Sequence, residues 1–306
     1  MIARYAHKNL TWIDMESPTQ EEAREIMLER NIHPLVAQEL VGPTLRSKVE
    51  IYPNFIYLIL HFPVMHRKGG TRVLEEQEID FVIGKDFLIT SRYDSFDPLH
   101  QFSKLFEVNS ILDRSDMSEH AGFIFFYMIR TLYDSLLHEL ESVGNSIRDI
   151  EEHIFKGNER AMVKKISEAS RELLDSRRTT SLHKEILESF DAAARRFFGD
   201  GFSYHTRAIV GEYYKVHNAI QSNFESVSEL RETNNSLLNA RETETMKRLT
   251  IIAFLTLPAS VITNFFQLGT SFTPIIGMPD DWLIIMGIIL ACTVFMFALA
   301  KFRKWF

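Results

Sequence analysis

Residues 249–266 read LTIIAFLTLPASVITNFF and residues 282–300 read WLIIMGIILACTVFMFALA, and these two stretches decide the fold class. No Asp, Glu, Lys or Arg occurs from Leu249 to Pro279, or again from Trp282 to Ala300. A helix of about 20 mostly apolar residues crosses about 30 Å of hydrocarbon, and both stretches reach that length. Two buried helices of a soluble bundle are the alternative, but such helices seldom stay uncharged on every side for so long. The reading is two transmembrane helices, over 249–267 and 282–300, joined by an outer loop over 268–281.

The flanks orient them, because Lys and Arg concentrate on the cytoplasmic side. Lys247 and Arg248 precede the first span, Lys301, Arg303 and Lys304 follow the second, and the loop between them carries Asp280 and Asp281 with no basic residue. Both termini are then expected in the cytoplasm, with the loop outside. Trp282 and Trp305 bracket the second span as interfacial aromatics do. The opening MIARYAHKNL lacks the apolar core of an export signal, so the polar part is expected to stay inside and the spans to sit in the cell inner membrane.

The rest of the 306-residue chain is of globular composition. With 34 Lys+Arg against 41 Asp+Glu the formal net charge is −7, which excludes a strongly basic nucleic-acid footprint. Cys292 is the one cysteine, so there is no internal disulfide and no cysteine-based zinc site. The chain holds no G-x-x-x-x-G-K-[ST] phosphate loop, no G-x-G-x-x-G after a strand and no H-E-x-x-H. His61 and His66 lie in or near a strand, and His138-Glu139 lacks a second histidine four residues on, so the histidines read as packing or surface groups. No enzyme, no nucleotide and no resident cofactor is expected.

Residues 1–117 mix strand and helix signals and predict an α+β fold class, with a cytoplasmic α/β domain ahead of long helices. TWIDME reads as a strand closing at Ser17-Pro18-Thr19, where a capped helix begins and runs to about Arg30. A short helix follows around HPLVAQEL, and KVEIYPNFIYLILHF, EEQEIDFVIG and KDFLITSR read as strands of a small, mainly antiparallel sheet. Residues 118–203 form a helical hairpin region broken near Gly157-Asn158 and Gly199-Asp200-Gly201. Between Tyr204 and Leu257 there is no proline and a single glycine, Gly211, so a stalk helix over 204–248 can continue into the first span. Its apolar positions Ile209, Tyr213, Val216, Ile220, Phe224 and Val227 need partners, which neighbouring protomers are expected to supply, with an ordinary dimeric coiled coil as the alternative. Residues 301–306 form a basic cytoplasmic tail.

Two spans at the C-terminus, a continuous stalk and a cytoplasmic sheet domain together resemble the CorA family of divalent metal cation channels and transporters, which includes the ZntB-type zinc transporters. The carriers are TWIDMESPTQEE, NIHPLVAQEL, the strands ending KDFLITSRYDSFDPL, MKRLTIIAFLTLP at the first span and the closing KFRKWF. The resemblance implies a homopentamer in a lipid bilayer. The first span lines a central pore, and a divalent cation, magnesium by family default, serves as the transported ion and as a regulatory one. A ZntB-type zinc transporter and a poorly conducting membrane scaffold or regulator are the alternatives.

One departure bears on the ion. Family members carry Gly-Met-Asn at the outer end of the first span, and counting from Pro258 places Gln267-Leu268-Gly269 there instead. Gly277-Met278-Pro279 falls too late and lacks the asparagine. Taken from the family's gate positions, residues three and four apart put Thr243, Met246, Leu249, Ala253, Leu257, Ser260 and Asn264 on one pore-lining face. Met246 and Leu249 are expected as apolar rings that block ions by dewetting, with Ser260 and Asn264 as oxygen-bearing rings in the outer half. The alternative for Asn264 and Thr263 is hydrogen bonding between helices. Gln267, Leu268, Gly269, Asp280 and Asp281 form the expected outer mouth, the two aspartates concentrating cations or simply standing solvated. The match of NIHPLVAQEL puts Glu39 at the family's regulatory metal position; Ala208 falls where its acidic partner belongs, with Glu212 one turn on.

Overall fold

The computed structural model describes residues 1–44, 46–68, 71–94, 97–107, 120–267, 275, 277 and 280–302. The chain divides into two compact units, Met1–Arg231 and Glu232–Phe306.

The first unit is built on a six-stranded sheet: β1 (Ile2–His7), β2 (Leu10–Glu16), β3 (Lys48–Ile51), β4 (Phe55–Lys68), β5 (Thr71–Gly84) and β6 (Phe87–Arg92), in the order β1-β2-β6-β5-β4-β3. All neighbours are antiparallel except β2 and β6, which run parallel with Asp14 opposite Thr90. Between β2 and β3 lie α1 (Gln20–Arg30) and α2 (Pro34–Glu39). Thr19 caps α1 through a capping box: its side chain accepts from the Glu22 amide while the Glu22 carboxylate accepts from the Thr19 amide. Pro34 opens α2, where its missing N–H costs nothing.

Strand alternation divides the core in two. One face sends Ile13, Met15, Tyr57, Ile59, Val82 and Ile89 against Ala23 and Ile26 of α1 and Val36 of α2. The other sends Trp12, Phe62 and Phe81 against the remaining helices of the unit: α3 (Asp97–Glu107), α4 (Gly122–Phe155), α5 (Glu159–Thr179) and α6 (His183–Phe198). Trp12 meets Phe102 and Phe106 edge-on, Phe81 meets Phe125, and Phe62 meets Tyr133 and His183.

The longest helix, α7, runs Ser203–Gln267. Within the first unit Ile209, Tyr213, Val216, Ile220 and Val227 are buried. Tyr213 meets Tyr133 of α4, and the Asn223 amide donates to the Leu140 carbonyl of α4 at 3.0 Å. This corrects the expectation that these positions await a neighbouring protomer: an apolar stripe shows only that a partner exists, and here α4 of the same chain supplies one. The second unit holds the remainder of α7 and α8 (Asp281–Phe302).

Candidate functional site

The unit Glu232–Phe306 contains two helical stretches long and apolar enough to cross a membrane, one in α7 and one in α8. Hydroxyls in such stretches satisfy themselves: Thr250, Thr256, Ser260 and Thr263 each donate to the carbonyl four residues earlier, at 2.8 to 3.2 Å. Thr293 of α8 does the same to Ile289. Pro258 lies inside α7 and has no N–H to add to the helical ladder, a local loss that the helix tolerates.

Exposure along the apolar part of α7 is two-sided. Ile251 is buried, and Phe254, Leu255, Pro258, Ala259, Ile262 and Phe266 are half-buried, recurring at helical spacing along one side. The opposite side is open. Thr243, Met246, Leu249, Ala253, Leu257, Ser260 and Asn264, the residues assigned to the pore by resemblance, all lie on that open side, as does Gln267. Ile252, Val261 and Phe265 are exposed as well, so the open arc is wider than that stripe. α8 repeats the pattern more narrowly, with Ile285, Ile289, Cys292, Thr293 and Met296 half-buried and Ala300 buried.

The polar groups on the open side of α7 differ in how they are satisfied. Ser260 has its backbone acceptor, whereas the Asn264 amide has no hydrogen-bond partner among the described residues and stands exposed within an apolar segment. An amide has two donors and an acceptor, and leaving it unpaired in hydrocarbon costs several kcal/mol, so it has to meet water, a neighbouring helix or a hydrated ion.

At the other end of the connection Asp280 has φ 67° and an exposed side chain, and its main-chain oxygen accepts from the amides of Leu283 and Ile284 at the start of α8. A carboxylate there also suits the positive end of the helix dipole. Asp281 is the first residue of α8. Leu268, Gly269, Met278, Pro279 and the tail residues 303–306 lie outside the described residues, as does the expected domain boundary at 117–118.

Glu39 and Glu212 each have a cation within the protomer. Lys48 Nζ stands 2.8 Å from Glu39 Oε2 and 2.9 Å from a Glu50 oxygen, while Glu212 pairs with Lys215 at 2.8 Å and faces Arg130 at 3.6 Å. Among the described residues no group of three His, Cys, Asp or Glu side chains could hold a metal ion.

The charge organisation that sequence reading passed over is in the sheet. Glu76, Glu78 and Asp80 alternate along β5, so all three project from one face, a period-two acidic signal legible in EEQEID. Glu78 is buried and accepts from the Thr44 amide and hydroxyl at 2.7 and 3.0 Å, with His61 Nε2 at 3.1 Å. The Glu78 carboxylate raises the His61 pKa against the opposing effect of burial. On the opposite face Trp12 donates to Thr90, Thr90 to Asp14, and Arg92 donates to Asp14 and Glu16.

Residues 7–304 match the family described as "CorA-like Mg2+ transporter protein". The chain is 21% identical over 299 residues to the cobalt/magnesium transport protein CorA of Thermotoga maritima, covering 96% of this chain and 83% of that protein. The complete structure of the CorA magnesium transporter from Methanocaldococcus jannaschii superposes with a TM-score of 0.82 at 15% identity, covering 100% of this chain and 98% of the other. The ZntB cytoplasmic domain from Vibrio parahaemolyticus gives a TM-score of 0.60 at 10% identity, over 78% of this chain and 91% of that domain. These two likenesses establish the fold.

Proposed function

The chain belongs to the CorA-like Mg2+ transporter protein family, and on that premise we propose that it is a channel or transporter that moves a divalent cation down its electrochemical gradient without nucleotide hydrolysis. The assembly is a homopentamer in the cell inner membrane with both termini cytoplasmic. The open side of α7 lines its pore, with Met246, Leu249 and Leu257 as apolar constrictions and Ser260 and Asn264 as oxygen-bearing rings. The observation that carries the reading is the Asn264 amide, which has no hydrogen-bond partner among the described residues and is displayed on the same side as the apolar rings. Magnesium gives up water reluctantly, so such rings suit its hydrated form, and Glu39 and Glu212 remain candidates for a regulatory ion that would displace their lysine partners.

Gln267-Leu268-Gly269 in place of Gly-Met-Asn favours a second reading for the ion, zinc, cobalt or nickel, and a third in which the chain conducts poorly and serves as a membrane scaffold. Uptake into liposomes carrying the purified full-length protein, read with magnesium- and zinc-sensitive dyes against empty liposomes, separates them. Saturable flux of one ion names the substrate. No flux of either from a demonstrated pentamer refutes the transport reading.

A further inference from the structure

The acids of β5 leave one proton to account for. Asp80 is wholly enclosed, and its Oδ2 lies 3.1 Å from the hydroxyl of Tyr93. The same hydroxyl lies 3.0 Å from the main-chain oxygen of Glu39, the last residue of α2. A phenol has one proton, and a carbonyl oxygen can only accept. If Tyr93 donates to Glu39, the short contact to Asp80 needs a proton on the carboxyl. We propose that Asp80 is held as a neutral carboxylic acid that donates to Tyr93, which in turn donates to the Glu39 carbonyl, so that a proton fastens the C-terminal end of α2 to β5.

The surroundings favour the neutral form, against the opposing effect of the Tyr93 hydrogen bond. Glu78 faces Asp80 from its own strand, Tyr57 from β4, Glu39 from α2, and Tyr93 from the segment after β6. The nearby cation on β3, Lys48, is engaged by Glu39 and Glu50, and His61 is engaged by Glu78. Burial, with the negative charge of Glu78 added to it, holds the Asp80 carboxyl well above the ordinary carboxylate range. Burial also pushes both phenols up, so neither tyrosine supplies a charge in place of Asp80. Asp80 Oδ1 has no hydrogen-bond partner among the described residues, a situation far less costly for a neutral acid than for a buried carboxylate.

A route for the proton is present. Tyr93 and Glu78 also line a cavity of about 620 Å³, whose wall includes Thr44, His61, Arg92 and Arg178. When Asp80 ionises, its proton leaves towards this cavity, the Tyr93 hydroxyl turns to the new carboxylate, and the Glu39 carbonyl is left with the Gly42 amide alone, at 3.3 Å. The anchoring of α2 is thus a protonation device, independent of what the two apolar helices conduct.

Infrared difference spectra of the full-length protein in detergent test this directly. At neutral pH the wild type is expected to show a protonated-carboxyl stretch that is lost in Asp80→Asn, shifted in Tyr93→Phe and lost on raising the pH. Hydrogen exchange supplies the second readout: Tyr93→Phe is expected to speed exchange of the Ala37 and Leu40 amides on the order of five- to tenfold, the worth of one hydrogen bond. Asp80→Asn, which keeps an N–H donor towards Tyr93, leaves those amides protected and removes their alkaline loosening. Absence of the band in folded wild type, its survival in Asp80→Asn, or its loss on adding magnesium at constant pH would overturn the proposal.

Discussion

Replacing His183 by glutamine isolates one buried group whose proton uptake opposes folding. His183 is wholly enclosed between β4, α4 and α6. One ring nitrogen, Nε2, lies 2.8 Å from the main-chain oxygen of His61, and the other, Nδ1, lies 2.8 Å from the Tyr133 hydroxyl. The carbonyl can only accept, so Nε2 carries the proton and Nδ1 accepts from Tyr133, which is the neutral tautomer. Burial pushes the His183 pKa down to about 4 from 6.5. The sign follows: as pH falls, the unfolded chain takes up this proton first, so stability is intact above pH 6.5 and is lost as pH falls towards 4. At about 1.4 kcal/mol per pH unit that interval is worth roughly 3 kcal/mol.

Glutamine can donate to the His61 carbonyl and accept from Tyr133, yet it does not titrate. The variant is therefore expected to lose roughly 3 kcal/mol less than wild type between pH 7 and pH 4. His120, also pushed down to about 4, and His61, with its pKa raised, are present in both proteins and cancel. Urea unfolding of the full-length protein in detergent reads the difference through buried Trp12, once Trp282 and Trp305 are phenylalanine. Equal pH slopes in the two proteins would refute the assignment. His183→Phe, which leaves both the His61 carbonyl and the Tyr133 hydroxyl unpaired, is expected to cost about 2–6 kcal/mol at neutral pH.

Three further outcomes follow from the same structure. Asn264→Ala should change flux or selectivity in liposomes without altering assembly; identical transport would remove Asn264 from the ion path. Asp280→Asn with Asp281→Asn should lower flux at low ionic strength and matter little at high salt, because only an exposed charge ring is screened that way; the same salt dependence in both proteins would leave them as solvated carboxylates. Thr19→Ala removes the capping box of α1 and should cost about 1 kcal/mol, read through Trp12, with no pH dependence beyond that of Glu22.

What could be read in advance had a local physical signal. Charge-free runs located the apolar helices, Ser17-Pro18-Thr19 located the start of α1, and glycines marked the breaks after α4 and α6. β1 escaped because an edge strand half exposed to solvent carries Arg4 and His7 and offers little alternation. The parallel pairing of β2 with β6 joins residues far apart in the chain, and no local pattern encodes it. The partner of the α7 stripe was misassigned for the same reason: periodicity fixes which face is buried and leaves open what buries it. The acids of β5 were legible as alternation, but the burial that gives Asp80 its proton depends on α2 and Tyr93 folding over them.

The contrast between hydroxyls and amides on α7 decides where the competing functional readings separate. Thr250, Thr256, Ser260 and Thr263 turn their donors back on the helix, so each can face hydrocarbon, a neighbouring helix or water at little cost. Asn264 has no such refuge. In a scaffold its amide is satisfied by the same amide of a neighbouring copy, and replacement by alanine weakens assembly while leaving no flux to lose. In a conducting pore the amide faces water, and replacement changes selectivity while the oligomer persists. One variant read by two assays therefore separates the readings, because the physical demand that Asn264 be satisfied is common to both and the group that satisfies it is not.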